Sequence, residues 1–122
     1  MLIFSNLIEC LYSFLESQSI PSFTKLPNEE TSVFLKDAVT LPCSAEGNPP
    51  PKIVAWLFDG KRVNTRSGRH FLRPNGDLYI TNTQKSDSGT YQCVAQNTVG
   101  GIASTKKKLF VTCKCNFINV II

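Results

Sequence analysis

Two cysteines fifty positions apart, Cys43 and Cys93, bracket Trp56, thirteen residues after the first, and Tyr91, two residues before the second. No other feature restricts the chain as much. This spacing suits two strands on facing sheets, tied by a disulfide with the indole packed against it. Side chains two apart on a strand share a face, so Tyr91, Cys93 and Ala95 point into one core. Asp87 and Gly89 come just before that strand, where a tight corner needs a turn-former and a residue without a Cβ.

The rest of the middle of the chain reads as short strands and turns. Residues 31–35 form a first edge strand, and 38–45 alternate with Val39, Leu41 and Cys43 on the core face. Prolines 49 to 51 cannot join a sheet interior and mark a stiff loop. Residues 52–58 are the central strand, with Val54 and Trp56 inward. Asp59-Gly60 is a two-residue hairpin turn, followed by a short edge strand at 61–63. Residues 69–73 and 77–81 pair around Asn75-Gly76, with Leu78 and Ile80 inward. Strands at 89–96 and 102–112 complete the set, the latter with Leu109 and Val111 inward.

The motifs in this order resemble an immunoglobulin domain of the intermediate (I-set) type over residues 23–112. They are the Cys43, Trp56 and Asp87-Ser88-Gly89-Thr90-Tyr91-Gln92-Cys93 frame, Gly47-Asn48-Pro49-Pro50-Pro51, Trp56-Leu57-Phe58-Asp59-Gly60, Gly76-Asp77-Leu78-Tyr79-Ile80 and Gln96-Asn97-Thr98-Val99-Gly100. The resemblance implies an all-β antiparallel sandwich with one inter-sheet disulfide, Cys43 to Cys93. Trp56, Leu78 and Tyr91 belong to its core, and the Tyr91 hydroxyl bonds back to upstream backbone. It also implies a structural ion pair between Asp87 and an arginine; Arg69 matches that position best, with Arg66 as the alternate.

Within that family two likenesses stand out. Lys85-Ser86-Asp87-Ser88-Gly89 with Asn97-Thr98-Val99-Gly100 resembles roundabout-type axon-guidance receptors. Phe23-Thr24-Lys25, Trp56-Leu57-Phe58-Asp59-Gly60 and the run from Asp87 to Ala95 resemble the first domain of the catalytically silent off-track and colon carcinoma kinase family. Contactin-, hemicentin- and peroxidasin-like domains stay open beside them. The implied role is a non-catalytic extracellular recognition module of a cell-adhesion or axon-guidance receptor, at the cell surface or secreted. Its implied partner is a protein ligand or receptor, a second copy of the chain (homophilic binding) among the candidates. The rival from another class is an intracellular muscle-type spacer of the titin kind.

Composition bounds these readings. A chain of 122 residues is one domain by size, and a net charge of +4 is too weak to argue for nucleic acid. Five cysteines point to an oxidising compartment, and closing the Cys43–Cys93 loop is worth about 4 kcal/mol in the chain-entropy picture. Cys10, Cys113 and Cys115 are left over, an odd number. No apolar run of membrane-spanning length occurs. Residues 1–22 are an apolar leading segment with two readings, a signal peptide or a short amphipathic helix, and 113–122 are a tail outside the fold. Both ends read as edges of a piece of a larger receptor.

The residues offer no catalytic or cofactor chemistry. His70 is the lone histidine and no glycine-flanked serine nucleophile accompanies it. Cys113-x-Cys115 has no second cysteine pair to complete a metal site, and no phosphate-cradling glycine loop exists.

Two surfaces carry the functional expectations. The outward side of the Trp56 sheet should hold Ile53, Ala55, Leu57, Gln92, Val94, Gln96, Lys108 and Phe110. Of these, Leu57, Phe110, Val94 and Gln92 are the candidate partner-binding set. The blander reading is ordinary scattered apolar surface. The second surface is basic: Lys61, Arg62, Arg66, Arg69 and Arg73 with Lys106-Lys107-Lys108. It would draw an acidic partner such as a sulfated glycan, or simply discourage edge pairing. There is no Asn-x-Ser/Thr sequon to mask either surface.

Overall fold

The computed structural model describes residues 17–114; Cys10, Cys115 and most of both end segments lie outside the described residues. Two layers face each other. One is a sheet of order β2 (Glu30–Phe34), β11 (Lys107–Thr112), β9 (Gly89–Gln96), β5 (Lys52–Phe58), β6 (Lys61–Arg62), with β10 (Gly101–Ala103) also on β9. The other has β3 (Val39–Leu41), β8 (Leu78–Ile80) and β7 (His70–Leu72), with β1 (Ser19–Lys25) paired to β4 (Ser44–Asn48) beside it. A single 3₁₀ turn at Lys85–Asp87 precedes β9.

The core lies between the layers. Cys43 and Cys93 are bonded, with their Cα atoms 6.6 Å apart. Trp56 is 1% exposed among Leu41, Leu78, Ile80, Tyr91, Leu109 and Val111. Its one polar atom is met: Nε1–H donates to the Gly76 carbonyl at 2.9 Å. Gly76 sits at φ +100°, in the turn between β7 and β8. A Cβ there would overlap Ile53 and come within 2.8 Å of the Cys43 carbonyl. Asp59 and Gly60 both take positive φ, the geometry that matches hairpin twist.

The structure departs from the sequence reading in several places. Residues 52–58 contain a bulge between Ile53 and Ala55 against β9. The bulge reverses the facing of the residues before it: Ile53 pairs with buried Ala95 and packs on the core, and Val54 does not. The sandwich is not wholly antiparallel, since β2 runs parallel to β11, with Phe110 opposite Ser32 and Thr112 opposite Phe34. Residues 38–45 split at Pro42, so that β3 pairs with β8 and β4 with β1. The last strand splits likewise at Ser104, a buried hydroxyl that accepts the Cys93 N–H at 3.0 Å. Ser19–Ser22 already pair with β4, ahead of the sequence boundary at Phe23. Pro21 falls at a register shift of that pairing, a place where a missing N–H is tolerated.

The two glycine turns permit a test. Gly76→Ala should cost about 2 to 4 kcal/mol, because backbone strain and overpacking add. Gly68, at φ +92° with nothing within 4 Å of an added Cβ, suffers only strain, so Gly68→Ala should cost about 1 kcal/mol. Urea unfolding of both variants checks the difference, and equal losses would contradict the crowding described at Gly76.

Candidate recognition surface

The outward face of the five-strand path is set by register. Leu57 pairs with Gln92 and Ala55 with Val94, so these four share the solvent side of β5 and β9. Lys108 pairs with Thr90 and Leu109 with Gly89, which carries Phe110 past Gly89 on the outward side of β11. Leu57 and Phe110 are therefore two strands apart and about four residues offset. That is a separation of about 16 Å from strand spacing and rise. They do not form one patch. Leu57, Gln92 and Val94 are half-buried together with Ala55, while Phe110, 41% exposed, stands apart.

Phe110 has a different neighbour, which the sequence reading missed. The parallel pairing puts Phe34, 47% exposed, one diagonal step from Phe110 on the same face. Lys114 reaches over the Phe34 ring, 5.4 Å from its centroid. The alternation of Ser32 and Phe34 against Val33 was visible in sequence, but its partner strand was not. Gln92 is partly committed, since its Nε2 donates to the Ser104 carbonyl at 2.8 Å.

The basic group is not a single stripe. Lys107 points inward, 8% exposed, with Nζ 2.6 Å from Glu29. Arg69 is consumed by Asp87, and the Arg73 guanidinium lies over the Tyr79 ring at 4.2 Å. Lys61, Arg62, Arg66, Lys106 and Lys108 remain as unpaired charges among the described residues.

At the end of the sandwich where β9 begins, Asp87 holds several groups at once. It is 4% exposed. Arg69 donates from Nη1 to Oδ2 at 2.8 Å and from Nη2 to Oδ1 at 3.0 Å. The Gln84 N–H donates to Oδ2 at 2.8 Å, and the Tyr91 hydroxyl donates to the Asp87 carbonyl at 2.7 Å. Arg66 is exposed and takes no part. Burial alone would raise the Asp87 carboxyl, but the bonds from Arg69 and Gln84 and the Arg69 charge outweigh it and hold it below 3.8. Burial, then the Asp87 charge, pushes the Tyr91 hydroxyl up.

His70 completes this cluster, with Nδ1 3.3 Å from the Ser67 hydroxyl and Nε2 3.4 Å from Asp87 Oδ1. The serine, histidine and aspartate connect in the order of a hydrolytic relay, but they are not set up as one. Arg69 already occupies both Asp87 oxygens. Burial pushes His70 below its ordinary value, against the pull of the Asp87 charge and with the push of Arg69. The ring lies between the Ser67 hydroxyl and the Asp87 carboxylate.

Both folded values are depressed, so both groups add stability that is present above their ordinary values and lost on acidification. Unfolding free energy should fall in two stages, first as pH drops below 6.5 through His70 and again below 3.8 through Asp87 and Asp59. His70→Asn should remove the first stage and keep the second. Urea unfolding across this pH range checks it, and a first stage that survives in His70→Asn would refute the assignment.

Comparisons with known proteins agree with this geometry. Residues 20–97 match the immunoglobulin domain family. The chain is 41% identical to hemicentin-1 of Mus musculus over 78 residues, covering 64% of this chain and 1% of that protein. It is 42% identical to peroxidasin homolog of Homo sapiens over 80 residues, covering 66% and 5%. The chain thus spans only a small part of the curated relatives it matches. Among solved structures, the tandem Ig repeats of Dlar align with a TM-score of 0.71 and 32% identity, covering 77% of this chain and 49% of that one. Extracellular domains 3-5 of Drosophila OTK give 0.70 and 28%, covering 78% and 25%. Titin domain M7 gives 0.67 and 30%, covering 78% and 96%. With its bonded cysteine pair, buried indole and tyrosine tied to the turn before its strand, the chain belongs to the immunoglobulin domain family.

Proposed function

We propose that this domain is a non-catalytic, extracellular protein-recognition module of a cell-adhesion or axon-guidance receptor. The observation that carries this reading is the outward face of β5 and β9, where Leu57, Val94 and Ala55 are half-buried side by side without contributing to the core. Apolar side chains grouped on a solvent face have no role in holding the sandwich, whereas such groups anchor interfaces. The relatives support the class, as does the disulfide, which suits an oxidising compartment. Arg62, which pairs with Leu57, flanks this face and would steer encounter more than set final affinity. A second copy of this chain is one candidate partner, and a sulfated glycan would have to use the dispersed cations.

The likeness to titin domain M7 favours one second reading, a muscle-type structural spacer. The two readings separate on redox state. Protein from its native source, alkylated before and after reduction, should show Cys43 and Cys93 bonded if the domain is extracellular. Protected thiols appearing without reductant would favour the spacer.

Function is tested on an array of immobilised cell-surface ectodomains that includes this domain itself. Leu57→Ser should weaken capture about tenfold or more, as expected for an interface anchor, with the melting temperature nearly unchanged. Phe110→Ser, being a separate locus, should have an independent and smaller effect. Normal capture by both variants, or capture by heparin alone, would overturn the surface assignment.

A further inference from the structure

A concave pocket of about 550 Å³ opens between β6 and β7, within the size range of small-ligand sites. Its apolar lining is half-buried Phe58 and Val63, with the buried Tyr91 ring stacked behind Phe58 at a centroid distance of 4.9 Å. Two carboxylates also line it, one fully engaged by the fold and the other, exposed Asp59, engaged through Oδ1 alone. Asp87 is saturated by Arg69 and the Gln84 N–H. Asp59 Oδ1 accepts both the N–H and the hydroxyl of Thr90 at 2.9 Å.

The donors are in the opposite condition. The Lys61 ammonium makes no hydrogen bond or ion pair among the described residues. Asn64 spends Oδ1 on the Arg66 N–H at 3.0 Å, and its Nδ2 has no partner among the described residues. Arg62 makes one long bond, 3.4 Å to the Val54 carbonyl. With Asp87 balanced by Arg69, the lining sets Lys61 and Arg62 against Asp59, an excess of one positive charge, and that excess is complementary to an anion. Its aromatic lining asks that the anion carry an apolar body.

We propose that this pocket takes an acidic residue presented beside an apolar side chain on a loop of a partner protein. The carboxylate meets Lys61 and Asn64 at the mouth, and the apolar group covers Phe58 and Val63. A sulfated glycan fits the pocket poorly, because it needs several cations in line and leaves the aromatic lining facing water. The inference rests on the recognition reading above, but it concerns a different locus from the Leu57 face.

Phenylacetate is the probe, since it joins a carboxylate to an apolar ring. Titrated into the isotope-labelled full chain, it should shift the amide resonances of Phe58, Lys61, Val63 and His70 with a single affinity. Acetate and benzyl alcohol, each carrying half of the recognised group, should shift them far less at equal concentration. Lys61→Ala should weaken phenylacetate about fivefold, the scale of one exposed charge contact. Ser67→Trp, which fills the mouth, should abolish the shifts. Should that variant fail to fold, Lys61→Ala on the exposed edge strand still decides the matter. Equal response to benzyl alcohol, shifts outside the pocket, or shifts with a heparin oligosaccharide alone would each overturn the proposal. A domain that captures a protein ectodomain but ignores phenylacetate overturns this inference alone. One that takes phenylacetate here but captures no ectodomain overturns the recognition reading and leaves a carboxylate pocket.

Discussion

An indole can be buried only if its N–H finds an acceptor, and here that acceptor is the Gly76 carbonyl. The bond fixes more than one side chain. Gly76 must take a positive φ and lie against Ile53 and the Cys43 carbonyl, so the β7–β8 turn is drawn over the indole. The same turn contributes Asp77, whose Oδ1 accepts the Cys43 N–H at 3.1 Å. The residue after Pro42, where β3 gives way to β4, is thereby satisfied although it belongs to neither strand. Disulfide, indole and turn are one unit, and the two layers are spaced by it.

The opposite end is organised by charge. Asp87 ties the 3₁₀ turn to β7 through Arg69 and to the first residues of β9 through Tyr91. Burial holds His70 beside it below its ordinary value, and Arg69 takes both oxygens of the carboxylate that the Ser67–His70–Asp87 line ends on. Internal pairing also decides which cations are available to a partner. Lys107, Arg69 and Arg73 are used within the fold, while Lys61 is not.

Features fixed by short-range rules were legible in the sequence. Asp59-Gly60 and Asn75-Gly76 announce turns that need positive φ, and Cys43, Trp56, Tyr91 and Cys93 lie at strand spacing. What could not be read depends on pairing between distant segments. A bulge after Ile53 leaves no mark in a continuous apolar run, yet it turns Ile53 inward and Val54 away from the core. Phe34 became a neighbour of Phe110 only through the parallel register of β2 on β11. Lys107 looked like one of three equivalent lysines, but strand alternation buries it between Lys106 and Lys108, and Glu29 balances its charge. Of the candidate surface, the central group at Leu57, Gln92 and Val94 was foreseeable from alternation alone. Its separation from Phe110 was not, because distance across a sheet requires the strand order.

The parallel contact between β2 and β11 has a mechanical meaning. β1 starts beside Asn48 and Asn97, whereas β11 finishes beside Leu35 at the far end of the sandwich. A pull between these two points runs along the strands. It would slide β1 against β4 and β11 against β2 and β9, loading their ladders in shear, so that many hydrogen bonds share the force at once instead of opening one by one from an end. Tension applied between Ser19 and Thr112 would therefore be carried along the strands, leaving the outward face of β5 and β9 out of its path.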